Sequence, residues 1–179
     1  MANTMNVLLA GFGGQGILFA GKVMVYSALI EGKELSWLPS YGPEMRGGTC
    51  NCSVVISDEA VGSPLVTNPD VLIAMNRPSL EKFAGNVVPG GTILVDSSTV
   101  DIKVDRNDVE VFYVPATKMA DEAGLKGLAN IILVGKLFRE KGFVSQSALD
   151  AGLAKCIPAK KQEMLGFNQK ALELGMNFE

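Results

Sequence analysis

Val7-Leu8-Leu9-Ala10-Gly11-Phe12-Gly13-Gly14-Gln15-Gly16-Ile17-Leu18-Phe19-Ala20 opens the stretch that decides the fold, and the stretch runs on to Glu31. Asn6–Ala10 is continuously apolar after its first residue, as a strand covered on both faces must be. Ile17–Ile30 is apolar at almost every turn, with Lys22 the one clearly polar residue inside it, so it reads as a largely buried helix. Gly32 follows, where a helix commonly ends in a left-handed glycine. Between strand and helix, Gly11, Gly13 and Gly16 fit the pattern G-x-G-x-x-G in the context it requires. Glycine permits a tight turn and a close backbone approach, and the helix N-terminus turns unpaired N–H groups and a partial positive charge towards a phosphate. Gly14 and the Gln15 amide complete the turn. The plainer alternative is that these glycines only let strand and helix pack closely.

Working outward, Glu34–Leu38 reads as a second strand stopped by Pro39, and Ser40–Gly48 as a loop rich in glycine and charge. Thr49–Ser57 alternates and is β-branched, which predicts a strand. Ala60–Pro69 reads as a connection, Val71–Met75 as a buried strand, and Pro78–Phe83 as a short helix. Pro89-Gly90-Gly91 turns the chain into a strand over Thr92–Val95 that ends in Asp96. Val109–Val114 is a further strand. Helices are predicted over Ala116–Glu122, over Leu128–Lys141, from a Ser145 cap to about Lys155, and over Lys160–Leu174 with Gly175 after it. The order predicts an α/β fold: a Rossmann-like, open, mostly parallel sheet with helices on both faces and a helical C-terminal segment over about 145–179. A length of 179 residues fits one domain spanning 1–179.

Composition narrows the function. An apolar fraction of 47% and a charged fraction of 20% are ordinary for a soluble globular protein. A net charge of −3 gives no sign of nucleic-acid binding or of attraction to an anionic membrane. Apolar runs are broken by Gly, Lys or Glu, so no bilayer-spanning helix is expected. Met1–Met5 is polar and short, no targeting signal is read, and a cytoplasmic location is expected. The chain has no histidine, which excludes a Ser-His-Asp triad, a Cys-His pair and a His-ligated metal. No catalytic residue and no metal site are assigned.

Three further patterns carry less than they promise. An NAD site wants an acid at the end of the second strand, but that strand ends Ser36-Trp37-Leu38-Pro39. Gly16 to Lys22 spells a P-loop, yet Val23 stands where a magnesium-binding hydroxyl is needed, and the spacer residues belong in a helix. Cys50 and Cys52 point the same way on an alternating strand, and with Cys156 as the only other thiol they suit buried packing better than a cluster.

The most specific segment is Ser40-Tyr41-Gly42-Pro43-Glu44-Met45-Arg46-Gly47-Gly48-Thr49. It follows the second strand, so it should emerge at the carboxyl edge of the sheet beside the glycine turn. A loop carrying Tyr41, Glu44 and Arg46 to such a place is a binding loop by default. The alternative is a Glu44–Arg46 ion pair that merely fixes the loop.

Gly11–Ile17 together with Ser40–Gly48 resembles the gamma subunit of the 2-oxoacid:ferredoxin oxidoreductases. The similarity extends to Asn76-Arg77, to Pro89-Gly90-Gly91, and to Lys170–Gly175. The resemblance implies a subunit of a complex that oxidatively decarboxylates a 2-oxoacid to an acyl-CoA and reduces ferredoxin. It implies alpha, beta and ferredoxin-type delta subunits as partners, with thiamine diphosphate and iron–sulfur clusters on those subunits. Coenzyme A is then the candidate ligand of this chain, with Arg46, Asn76 and Arg77 as polar contributors beside the glycine turn. The other readings are a self-sufficient nucleotide-dependent oxidoreductase and a purely structural interaction subunit.

Overall fold

The computed structural model describes residues 3–41 and 48–179, and of Tyr41 the main chain alone. The elements are β1 (Thr4–Phe12), α1 (Ile17–Ile30), β2 (Glu34–Tyr41), β3 (Thr49–Ser57), β4 (Val71–Ala74) and α2 (Arg77–Phe83). Then come β5 (Thr92–Asp96), β6 (Glu110–Val114), α3 (Ala116–Glu122), α4 (Ala129–Lys141), α5 (Gln146–Cys156) and α6 (Glu163–Asn177). The strands form one sheet in the order β2-β3-β1-β4-β5-β6. The pairs β1–β4, β4–β5 and β5–β6 are parallel, while β3 is antiparallel to both β1 and β2. The fold is therefore the expected α/β type with a mostly parallel sheet, and β3 is the one reversed strand.

Central β1 explains its own sequence. Val7, Leu8, Leu9 and Ala10 are all buried because both faces of the strand are covered. Val7 and Leu9 join Cys52 and Val54 in a core under α1, α3, α4, α5 and α6. Leu8 joins Val55, Leu72 and Ile93 in a smaller core closed by Leu80 of α2 and by Val87 and Val100. Helices cover both faces, but unequally.

The helical layer is drawn together by glycine. A Cβ on Gly152 of α5 would lie 2.6 Å from the Ser27 nitrogen of α1. On Gly175 of α6 it would meet the main chain of α4 at Ile132 and Lys136. Such approaches leave no room for a side chain.

Three boundaries differ most from the sequence reading. Pro39 does not stop β2; the strand runs through it to Tyr41. β2 is an edge strand, where a residue without an N–H costs no ladder bond on the open side. Gly175 does not follow α6 but lies within it, as a contact glycine against α4. The helix begins at Glu163, not Lys160, because Ala159–Lys161 forms a separate 3-10 turn after Pro158. Its last carbonyls are held from α4, by Arg139 on Met176 O at 2.7 Å and Lys136 on Phe178 O at 2.9 Å.

Candidate functional site

The glycine turn lies at the carboxyl edge of the sheet, between the ends of β1 and β4, and each residue in it has a separate duty. A Cβ on Gly11 would press on Gln15 Oε1 at 2.5 Å and on Ile17 Cδ1 at 2.9 Å. Gly13 N donates to Gly48 O at 2.9 Å, which ties the turn to the chain entering β3. Gly14 has φ +95° and open space on its outer side. Gly16 has φ +75° and precedes α1, and a side chain there would collide with the Asn130 amide. That amide donates to Gly16 O at 2.9 Å.

Gln15 does not offer its amide outward. Its Oε1 accepts from Phe12 N at 2.7 Å and its Nε2 donates to Met75 O at 2.9 Å. The side chain bridges the ends of β1 and β4, which makes it a brace for the turn. Helix α1 begins with no side-chain cap and no acid in its first turn. Its first N–H groups lack intrahelical acceptors, and the helix dipole places positive potential there.

Asn76 and Arg77 follow β4 at the same edge. Buried Asn76 caps α2, its Oδ1 accepting from Ser79 N at 2.8 Å, and among the described residues its Nδ2 has no partner. Arg77 is half-exposed and pairs with Glu81 at 2.9 Å and Asp101 at 3.4 Å. These carboxylates hold its guanidinium charged, above the usual arginine range. The site thus brings together Gly11, Gly13, Gly14, Gln15 and Gly16, with Asn76 two residues beyond Ala74 of β4. Glu44, Arg46 and the Tyr41 side chain lie outside the described residues. The flanks of their loop do not: Tyr41 pairs with Cys50 and Phe12 with Thr49, so the chain leaves β2 and enters β3 at this edge.

Sequence reasoning missed the far wall of the site. A cleft of about 290 Å³ opens beside the turn, lined by Gly14, Gln15, Met75, Thr99, Thr117 and Lys126 among others. Thr99 donates to Met75 O at 2.8 Å. Thr117 donates through its hydroxyl at 2.6 Å and its N–H at 3.3 Å to the fully buried Asp96 carboxylate at the end of β5. Asn130 carried a faint signal: a polar residue near the start of an apolar helix, just after Gly127.

Burial favours the protonated form of all three thiols. Burial pushes Cys52 up to about 12, although a hydrogen bond with Trp37 opposes the shift. Burial likewise raises Cys156 to about 11, against the nearby Lys22 and Lys155 ammoniums. Cys50 and Cys52 both face the α1 core, as the alternation predicts. The sheet order adds a reason against an NAD site beyond the missing acid. Reversed β3 stands between β1 and β2, so the end of β2 is not next to the glycine turn.

An open α/β sheet whose first strand ends in a glycine turn before an uncapped helix defines a Rossmann-like module. Residues 6–178 match the family of pyruvate ferredoxin/flavodoxin oxidoreductases, and the chain belongs to that family. It is 42% identical, over 97% of its length, to the ketoisovalerate oxidoreductase subunit VorA of Methanothermobacter marburgensis. It spans 36% of that relative, about a third of its length. Among solved structures it is similar to the gamma subunit of a keto/oxoacid ferredoxin oxidoreductase from Geobacter sulfurreducens. The TM-score is 0.82 at 28% identity, over 96% of both chains. It is also similar to the 2-oxoglutarate:ferredoxin oxidoreductase of Magnetococcus marinus, which has 2-oxoglutarate, coenzyme A and succinyl-CoA bound. There the TM-score is 0.85 at 25% identity, over 96% of this chain and 30% of that one.

Proposed function

We propose that residues 1–179 form the gamma-type unit of a multi-subunit 2-oxoacid:ferredoxin oxidoreductase in the cytoplasm, and that this unit contributes to the coenzyme A site. The complex converts a 2-oxoacid and coenzyme A to an acyl-CoA and carbon dioxide, and two electrons pass to ferredoxin. Thiamine diphosphate and the iron–sulfur clusters belong to partner subunits of alpha, beta and ferredoxin-like delta type. A branched-chain 2-oxoacid or 2-oxoglutarate is the substrate favoured by the similarities to VorA and to the Magnetococcus enzyme.

The observation that carries the reading is the open side of Gly14, next to the uncapped start of α1 and a cleft, in a chain of this family. A diphosphate is the group such a turn accepts. Gly11, Gly13 and Gly16 shape the turn, Gln15 braces it, and the main-chain N–H groups at the start of α1 would hold the anion. Tyr41, Glu44 and Arg46 are proposed as further contacts, from the loop whose described flanks stand at that edge, and Asn76 and Arg77 border it. No residue of this chain is assigned a chemical step; its work is to bind and orient coenzyme A. Among the described residues no helix is long and apolar enough to cross a membrane.

Gly14→Val tests this. The change strains a φ of +95° and fills the open side of the turn. Coenzyme A binding to the purified complex, measured by calorimetry, should weaken about tenfold or more, since each tenfold is about 1.4 kcal/mol. Partner subunits should still co-purify. Unchanged affinity in an intact complex would overturn the reading and leave a structural subunit.

A further inference from the structure

We infer that Lys126 reads a second, separate phosphate on the ligand of the glycine turn, and so selects coenzyme A over its 3′-dephospho form. The inference rests on the coenzyme A reading above and deepens it.

At about 290 Å³ the cleft lies at the lower end of ligand pockets, about 300–1,000 Å³, and the glycine turn forms part of its wall. It therefore holds one part of a ligand whose diphosphate sits on the turn. Its wall is less polar than its residue names suggest. Gln15 spends both ends of its amide on Phe12 N and Met75 O. Thr99 and Thr117 spend their hydroxyl protons on Met75 O and Asp96. With these donors satisfied internally, the charged groups on the lining are Lys126 and Asp121, both exposed at the rim.

Lys126 differs from the neighbouring cations. Arg77 is matched by Glu81 and Asp101, and Lys118 by Glu122 at 3.8 Å. Among the described residues Lys126 forms no ion pair. It stands three residues before Ala129, the first residue of α4, which also lines the cleft. Helix α4 has 13 residues, no side-chain cap and no acid in its first turn. Its start therefore adds positive potential on the side where Lys126 stands. The two helix starts are joined directly, because Asn130 of α4 donates to Gly16 O at 2.9 Å. The result is two anion-attracting points on the lining of one cleft. The first is the glycine turn at α1, and the second is Lys126 at α4. Coenzyme A carries two such groups on one ribose scaffold, the 5′-diphosphate and the 3′-phosphate. Asp121, on the same rim, opposes the second anion and sharpens the test.

Calorimetry of the purified complex with coenzyme A and with dephospho-coenzyme A separates the contributions. The wild type should prefer coenzyme A. Lys126→Ala should weaken coenzyme A about fivefold, the range for an exposed charge pair, and leave dephospho-coenzyme A unchanged. Lys126→Arg should keep the preference, and Asp121→Asn should strengthen it. Melting should not change, since Lys126 is exposed and unpaired among the described residues. Equal loss for both ligands in Lys126→Ala, or no loss for either, would overturn the inference, even where Gly14→Val still weakens both and the parent reading stands. If Gly14→Val is also without effect, both fall.

Discussion

Replacing Gln15 by leucine separates a brace from a ligand contact. The structure gives the side chain two main-chain hydrogen bonds, Phe12 N to Oε1 at 2.7 Å and Nε2 to Met75 O at 2.9 Å. Each such bond contributes about 1 kcal/mol net. The Phe12 end is solvent-accessible, so water recovers part of its share. Met75 O keeps the Thr99 hydroxyl at 2.8 Å. The expected loss is therefore about 1–2 kcal/mol. For a chain of this length that lowers the melting temperature by about 2–8 °C in a calorimetric scan. Adding Thr99→Val to Gln15→Leu leaves Met75 O without either donor, and the double loss should exceed the sum of the single ones by about 0.5 kcal/mol or more. Melting unchanged in Gln15→Leu, with coenzyme A binding weakened, would refute the reasoning: the amide would then face the ligand and not the strands.

The α4–α6 crossing predicts opposite signs for two glycines of one helix. Gly175→Ala puts a Cβ 2.8 Å from the main-chain carbon of Ile132 and from Lys136 N. Overpacking of this kind costs about 1–3 kcal/mol or more, and outweighs a helix-propensity gain of about 1 kcal/mol. Gly166→Ala meets nothing within 4 Å and should stabilise by up to about 1 kcal/mol. Urea midpoints measure both, and equal shifts would refute the crossing as drawn. The thiols give a pH test. With Cys156 raised to about 11, about one molecule in a thousand carries its thiolate at pH 8, and alkylation should rise about tenfold per pH unit from there. Cys52 should react more slowly still. The fold favours the protonated thiols, so their contribution to stability is complete below the ordinary thiol value of 9.0 and is lost as pH rises towards the folded values. A thiol that labels at pH 8 in the native chain as fast as after unfolding would contradict this.

Much of the architecture was legible because it is written in local pattern. The apolar run of β1 and the span Ile17–Ile30 of α1 are found as read. Ser145 caps α5 through Ala148 N at 3.2 Å, as its place ahead of the helix predicts. What was not legible depends on neighbours. Pro39 looked like a stop because edge status is a property of the sheet and not of the strand. The reversal of β3 has no residue signature, since alternation is the same in either direction. Gly175 looked like a helix end because a contact glycine and a capping glycine are the same letter. At the site, the glycine positions were readable and the duty of Gln15 was not, because its partners come from β1 and from the end of β4, 60 residues away. Asn130 meets the turn, and Lys126 lines the cleft beside it, only through the fold. The N-cap role of Asn76 could have been found, since an asparagine just ahead of Arg77-Pro78 is a helix-start pattern.

The placement of β1 bears on how the chain is made. It is the first of the six strands in chain order, yet both of its partners are encoded later, β3 at Thr49–Ser57 and β4 at Val71–Ala74. The nearer one begins roughly 40 residues after β1 ends, which at 5–20 residues per second is about 2–8 s of elongation. During that interval four consecutive apolar residues, Val7 to Ala10, have no strand to pair with. Helix α1 is complete well before then, and its buried face shares a core with two of these side chains, Val7 and Leu9. The glycine turn that positions α1 against β1 thus also lets the nascent chain cover one face of this apolar strand before its strand partners are made.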